Sequence, residues 1–164
     1  MDRSGVEEWL KSYNVENYTI NEDSSIDIDG GVNIGAKGIC VLPVKFRHVC
    51  KNFKCYGNEL TNLVGCPRVG GDFFCSNNLL TSLEYCPSEV VGHFDCGENQ
   101  LISLKYGPIG VGGSFMCGFN KLESLEGCPE IIGGDFYCFD NQLTSLDGCY
   151  FELSGSFNCS NNAI

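Results

Sequence analysis

Apolar residues return along this chain with two superposed periods. Over a few residues they alternate with polar ones, and over about 21 residues the whole phrase comes back. Phe stands at Phe53, Phe73, Phe94, Phe115, Phe136 and Phe157, and a Cys follows two places later each time: Cys55, Cys75, Cys96, Cys117, Cys138 and Cys159. Three places on comes Asn (Asn58, Asn78, Asn99, Asn120, Asn141, Asn162), and two further comes Leu60, Leu80, Leu101, Leu122, Leu143 or Ile164. Period two puts each Phe and Cys on the same side of a short strand. A fixed period of this length marks stacked repeats, in which each copy buries its apolar side against its neighbours. A second inward Leu follows (Leu63, Leu83, Leu104, Leu125, Leu146). Pro67, Pro87, Pro108 and Pro129 turn the far side, and Val69, Val90, Val111, Ile132 and Leu153 lead back in. The Gly pairs Gly70-Gly71, Gly112-Gly113 and Gly133-Gly134 suit tight turns into the next strand. The Asn column predicts a buried amide at each turn that bonds the backbone of its own and the adjoining coil.

The first 40 residues do not follow the repeat. Residues 4–13 predict a short helix, with Ser4 and Glu7 as a capping box and Val6, Trp9, Leu10 and Tyr13 on one face. That face would cover the open end of the stack, as solenoids require; a docking peptide is the alternative. Alternation in Tyr18-Thr19-Ile20, Ile26-Asp27-Ile28 and Val32-Asn33-Ile34 predicts strands or a hairpin over about 18–34. The expected organisation is a cap over 1–40 and about six coils over 41–164, in one domain.

The phrase F-x-C-x-x-N-x-L matches the second half of the leucine-rich repeat. Asn141-Gln142-Leu143-Thr144-Ser145-Leu146 is similar to the N-x-L-T-S-L phrase of enterobacterial secreted effectors. The Phe-x-Cys strands, L-x-G-C-P turns and Gly pairs more closely resemble short bacterial and phage-encoded repeat proteins. The resemblance implies a leucine-rich-repeat solenoid, β-rich and horseshoe-like in the α/β manner, with one parallel strand per 21-residue coil. The effectors' ubiquitin-ligase domain is not expected here. For function the phage-like resemblance implies a cytoplasmic inhibitor of a host or bacterial defence protein.

Charge narrows the choice of partner. A net charge of −11 and a pI near 4.4 make direct nucleic-acid binding a poor expectation, because phosphate repels such a surface. The basic residues Lys37, Lys45, Arg47, Lys51 and Lys54 cluster with His48 between acidic segments. Twelve Cys would suit a disulfide scaffold, but they follow the repeat, where Cys serves as a small apolar residue. No apolar leader follows Met1 and no stretch is long enough to span a membrane, so the expected compartment is the reducing cytoplasm. No C-x-x-C pair occurs, and Asp23, Asp27 and Asp29 lack the full spacing of a calcium loop; no metal and no cofactor are expected. His48 and His93 have no catalytic companions at any telling spacing, and no phosphate loop is present, so an enzyme is not expected.

Function is expected on the outward side of the strands, the concave face of such a solenoid. Lys54, Phe74, Asp95, Met116 and Tyr137 lie between the inward Phe and Cys, Tyr56 and Phe139 just after the Cys, and Glu98, Phe119 and Asp140 one place on. Exposed aromatics and Met with an acidic rim mark a protein-binding surface. A structural or adaptor role, with a homodimer formed through the C-terminal coil, is the second expectation, because the last strand would leave an unpaired edge.

Overall fold

In a computed structural model describing residues 1–148 and 151–164, the chain winds into a β-solenoid. The first element, α1 (Arg3–Ser12), is followed by a hairpin of β1 (Tyr18–Ile20) and β2 (Ser25–Ile28), paired antiparallel. β2 already belongs to an eight-stranded sheet that continues through β4 (Lys45–Val49), Arg68–Val69, Glu89–Val90, Gly110–Val111, Ile131–Ile132 and Glu152–Leu153. β3 (Val32–Asn33) begins a second, seven-stranded sheet that runs through β5 (Phe53–Lys54), Phe73–Phe74, Phe94–Asp95, Phe115–Met116, Phe136–Tyr137 and Phe157–Asn158. Apart from β1 with β2, every pairing is parallel. Each coil therefore carries a strand on both sides: the Val69, Val90, Val111, Ile132 column forms a sheet of its own in addition to the Phe-x-Cys strand that the repeat announces. The sheets also take up residues 25–34, upstream of the first Phe-x-Cys coil.

Parallel pairing in register places each side chain over its equivalent one coil away, about 4.8 Å off along the stack. The Phe column thus becomes a continuous aromatic ladder. Phe53, Phe73, Phe94 and Phe115 stack nearly parallel with centroids 5.5–5.7 Å apart, and Phe115 meets Phe136 edge-on at 5.4 Å. Phe53 through Phe136 are fully buried, each contributing about 1.5–3 kcal/mol by leaving water. At the N-terminal end Phe46 stands edge-on to Phe53, and Trp9 of α1 lies over Phe46 at 6.1 Å. Val6 and Leu10 of α1 are buried and Trp9 and Tyr13 half-buried against the core, so this helix covers the end of the stack. Its start differs from the sequence expectation. Asp2, not Ser4, is the N-cap, accepting from the Gly5 N–H at 2.9 Å, because the helix begins one residue earlier, at Arg3.

The Asn column holds the turns. Asn99 accepts the Leu80 N–H of the preceding coil (3.0 Å) and donates to the carbonyls of Cys75, Cys96 and Gly97 (3.1 Å each). Asn78, Asn120, Asn141 and Asn162 repeat this pattern. At the first coil Asn58 accepts instead from the Lys37 and Ile39 N–H groups. A second polar ladder runs one residue ahead of the Phe column. Asn52, Asp72, His93, Ser114 and Asp135 each accept, through a side-chain atom, the backbone N–H of the equivalent residue one coil on, at 2.7–3.1 Å. His93 is thereby a structural acceptor through Nδ1. This ladder explains the second Gly of each pair and the single Gly92 and Gly155. Gly71, Gly92, Gly113, Gly134 and Gly155 sit where a Cβ would strike the acceptor atom of the previous coil or the backbone beside it. Their backbone φ is not positive, so clearance rather than turn geometry requires them.

No disulfide forms among the described residues. Cys55, Cys75, Cys96, Cys117 and Cys138 are buried, and burial pushes the Cys75, Cys96 and Cys117 thiols well up and that of Cys86 to about 12. Cys66, Cys86 and Cys128 of the far-side column are half-buried, and Cys86 and Cys128 donate to the carbonyls of Tyr106 and Gly148 one coil on; Cys149 of that column lies outside the described residues. Cys40 and Cys50 are exposed. Cys40 donates to Glu59, whose carboxylate raises its pKa.

Two outcomes follow. Asn99→Ala should lower stability by about 2–4 kcal/mol in urea unfolding, because a buried N–H and several carbonyls lose their partner together; a loss under about 1 kcal/mol would contradict the ladder's role. In the native protein, iodoacetamide should modify Cys40 and Cys50 and spare Cys55, Cys75, Cys96 and Cys117 until urea is added, and Glu59→Gln should speed the reaction at Cys40. Peptide mapping by mass spectrometry checks both points.

Candidate functional site

The inward Phe and Cys of each coil fix the direction of what lies between and beyond them. Lys54, Phe74, Asp95, Met116 and Tyr137 lie half-buried on the outer face of the seven-stranded sheet. The next outward column reads Tyr56, Ser76, Gly97, Gly118, Phe139 and Ser160. Two glycines in succession, between larger neighbours, open a hollow in the face. A cavity of about 290 Å³ lies there, floored by Gly97 and Gly118. Met116, Phe119, Tyr137 and Phe139 wall it, and Ser76, Asp95 and Glu98 complete the rim. The Phe139 ring leans over Gly118, where a Cβ would come within 3.0 Å of the ring. The same posture recurs at Tyr56, whose ring covers Gly35.

Ring geometry makes the hollow an aromatic corner. Phe119 meets Phe139 at 88° with centroids 5.2 Å apart, and Tyr137 meets Phe139 at 76° and 6.4 Å. The Tyr137 hydroxyl donates to Asp135 at 2.8 Å, and this bond raises the pKa of the phenol. Asp135 also accepts the Ser156 N–H, and these contacts, the Ser156 bond foremost, hold its carboxyl below the ordinary carboxylate range. One residue of the second polar ladder thus orients a wall of the cavity. On the rim, Asp95 accepts from the Gly97 N–H at 2.9 Å, which fixes its carboxylate. Neither Asp95 nor Glu98 forms an ion pair among the described residues.

The backbone is strained at this place. The residue after the outward aromatic or Gly column is left-handed in every coil: Ala36, Gly57, Asn77, Glu98, Phe119, Asp140 and Asn161, at φ 51–64°. Gly, Asn and Asp suit that conformation; a bulky side chain does not. Glu98 and Phe119 are the two long or bulky departures in this column, they are adjacent in the stack, and both flank the cavity. Phe119 is also 53% exposed. A second left-handed column, on the far side, carries Gly65, Tyr85, Tyr106, Gly127 and Gly148, with Tyr85 and Tyr106 exposed.

Of the ten residues singled out from sequence, six converge on the cavity: Asp95, Glu98, Met116, Phe119, Tyr137 and Phe139. Asp140 lies beside it and accepts from Asn161. Lys54 and Phe74 form a separate pair toward the N-terminal end, the ammonium 5.6 Å from the ring centroid, and Tyr56 lies over Gly35. Sequence reasoning passed over Asp135, Gly97 and Gly118 as site residues. The signal for the glycines was present, as gaps in a column of larger side chains; for Asp135 it was not, since it reads as one more polar residue before a strand. Among the described residues no group of three or more His, Cys, Asp or Glu side chains is placed to hold a metal ion, and no helix is long and apolar enough to cross a membrane.

No protein-family model, curated protein or solved structure matches the chain.

The left-handed backbone at Phe119 yields a clear expectation. Phe119→Asn should leave stability unchanged or raise it by up to about 1 kcal/mol, because Asn tolerates the conformation that Phe resists. Thermal and urea unfolding check this; a loss beyond about 1 kcal/mol would show that the Phe119–Phe139 contact outweighs the strain.

Proposed function

We propose that this chain is a non-enzymatic protein-binding module that docks one partner on the outer face of its seven-stranded sheet, centred on the cavity between Phe119 and Tyr137. The observation that carries the reading is the exposed Phe119 ring on a left-handed backbone. A column that otherwise carries Ala, Gly, Asn, Glu or Asp keeps at Phe119 its one aromatic, strained and water-exposed, beside a hollow lined by two more. Strain of this kind concentrates at sites of function, and aromatic anchors are enriched among the few residues that carry most of the affinity in protein interfaces. Asp95, Glu98 and Asp140 would form the polar rim and give the docking its orientation. The resemblance to short bacterial and phage repeat proteins suggests that the role is inhibition of a host or defence protein in the cytoplasm.

The test is affinity capture from bacterial lysate on the immobilised protein, comparing wild type with a Phe119→Asn, Tyr137→Ala double variant whose fold is confirmed by circular dichroism and urea unfolding. A partner retained by the wild type and weakened at least about tenfold by the variant is expected, since each lost anchor costs about 1–2 kcal/mol or more. Partners indifferent to the double variant would overturn the reading. If the wild type captures only its own copies, the module acts through self-assembly.

A further inference from the structure

We infer that the cavity on the strand face takes a cationic side chain, an arginine presented by a basic segment of the partner. The inference rests on the reading of this face as a docking surface and adds the chemistry of what enters it. Size is the first constraint. At about 290 Å³ the hollow falls at the lower limit of small-molecule sites, which run from about 300 to 1,000 Å³. Such a space admits one long side chain.

Charge is the second. Three aromatic rings and Met116 form the walls, and both ionisable groups at the rim are carboxylates, Asp95 and Glu98. Among the described residues no Lys, Arg or His lines the hollow. The basic residue of this face, Lys54, is placed over the Phe74 ring toward the other end of the sheet. An aromatic face attracts a cation through its quadrupole, and the attraction strengthens as the cation leaves water. A neutral apolar occupant would use the rings but leave the rim carboxylates without an ionic partner. A carboxylate or phosphate would meet repulsion from both.

Geometry selects guanidinium over ammonium. Phe119 and Phe139 stand at right angles, so a flat group can lie on one ring while its edge points to the rim. Guanidinium is planar, stacks on aromatic faces and donates along its edge to carboxylate oxygens, whereas ammonium is a compact and strongly hydrated point charge. Asp95 is held by the Gly97 N–H through Oδ1, which leaves Oδ2 to accept such an edge. The overall charge of −11 would steer a basic segment toward the protein.

The test uses the full chain and three short capped peptides, Gly-Arg-Gly, Gly-Lys-Gly and the same tripeptide with citrulline in the centre. Citrulline has the length and shape of arginine without its charge. Binding is followed by NMR on the ring resonances of Phe119, Tyr137 and Phe139. The arginine peptide should shift these saturably and bind at least about tenfold tighter than the citrulline peptide. An Asp95→Asn, Glu98→Gln variant should lose about tenfold in affinity for arginine and change little toward citrulline; the amide introduced by Asp95→Asn keeps an oxygen for the Gly97 N–H. Equal binding of arginine and citrulline overturns the cationic occupant while leaving the face as an apolar docking surface. A lysine peptide that binds as tightly as arginine overturns the choice of guanidinium. Shifts by none of the three overturn the inference, and the capture experiment with Phe119→Asn, Tyr137→Ala then decides the docking role separately.

Discussion

Everything in this protein depends on the buried asparagine that closes each turn. A chain that doubles back about every ten residues leaves backbone N–H and C=O groups facing inward at the bend, and such groups must be paired. One amide meets the need because it carries both an acceptor and two donors. It reaches the N–H of the preceding coil and the carbonyls of both coils, as Asn99 does with Leu80, Cys75 and Cys96. The same set of bonds fixes the step between coils. Once that step is set, the Phe, Cys and Leu columns must lie over one another, and the aromatic ladder from Trp9 through Phe157 follows.

The ladder of acceptors before the Phe column plays the corresponding part on the approach to the strand. Asn, Asp, His and Ser all serve there because the demand is only for an acceptor atom at the right reach. The glycines beside it are the complement: they give up a side chain so that the acceptor of the previous coil has room. Through Asp135 this ladder touches the candidate site, since the carboxylate that holds the Ser156 N–H also holds the Tyr137 hydroxyl. Stability and the shape of the cavity are joined at that residue.

The candidate site departs from the commonest residues of its columns. Gly97 and Gly118 leave a gap where the coils of Tyr56, Ser76, Phe139 and Ser160 place larger groups, and Glu98 and Phe119 occupy a backbone state better suited to Asn or Gly. These departures fall on adjacent coils and around one hollow. Local sequence and fold also disagree at Tyr85 and Tyr106 on the far side; on the strand face the disagreement coincides with an aromatic-lined hollow, which is where function is expected to sit.

The repeat period, most of the inward columns, the role of Asn and the helical cap were legible in the sequence; Leu146 and Ile164, read as inward, are exposed. They are properties of position within the coil, and repetition states them several times over. A strand's period of two then fixes which side chains face out, so the aromatic and acidic residues of the face could be named as well. What only the tertiary structure decided is how residues some 20 positions apart act on one another. The second sheet emerges because the Val column pairs in register from coil to coil. The clearance required of Gly113 depends on the neighbouring coil, not on adjacent residues. The gathering of six outward residues around one cavity, with Lys54, Phe74 and Tyr56 left apart, follows from the stacking of coils in space, which no single repeat contains.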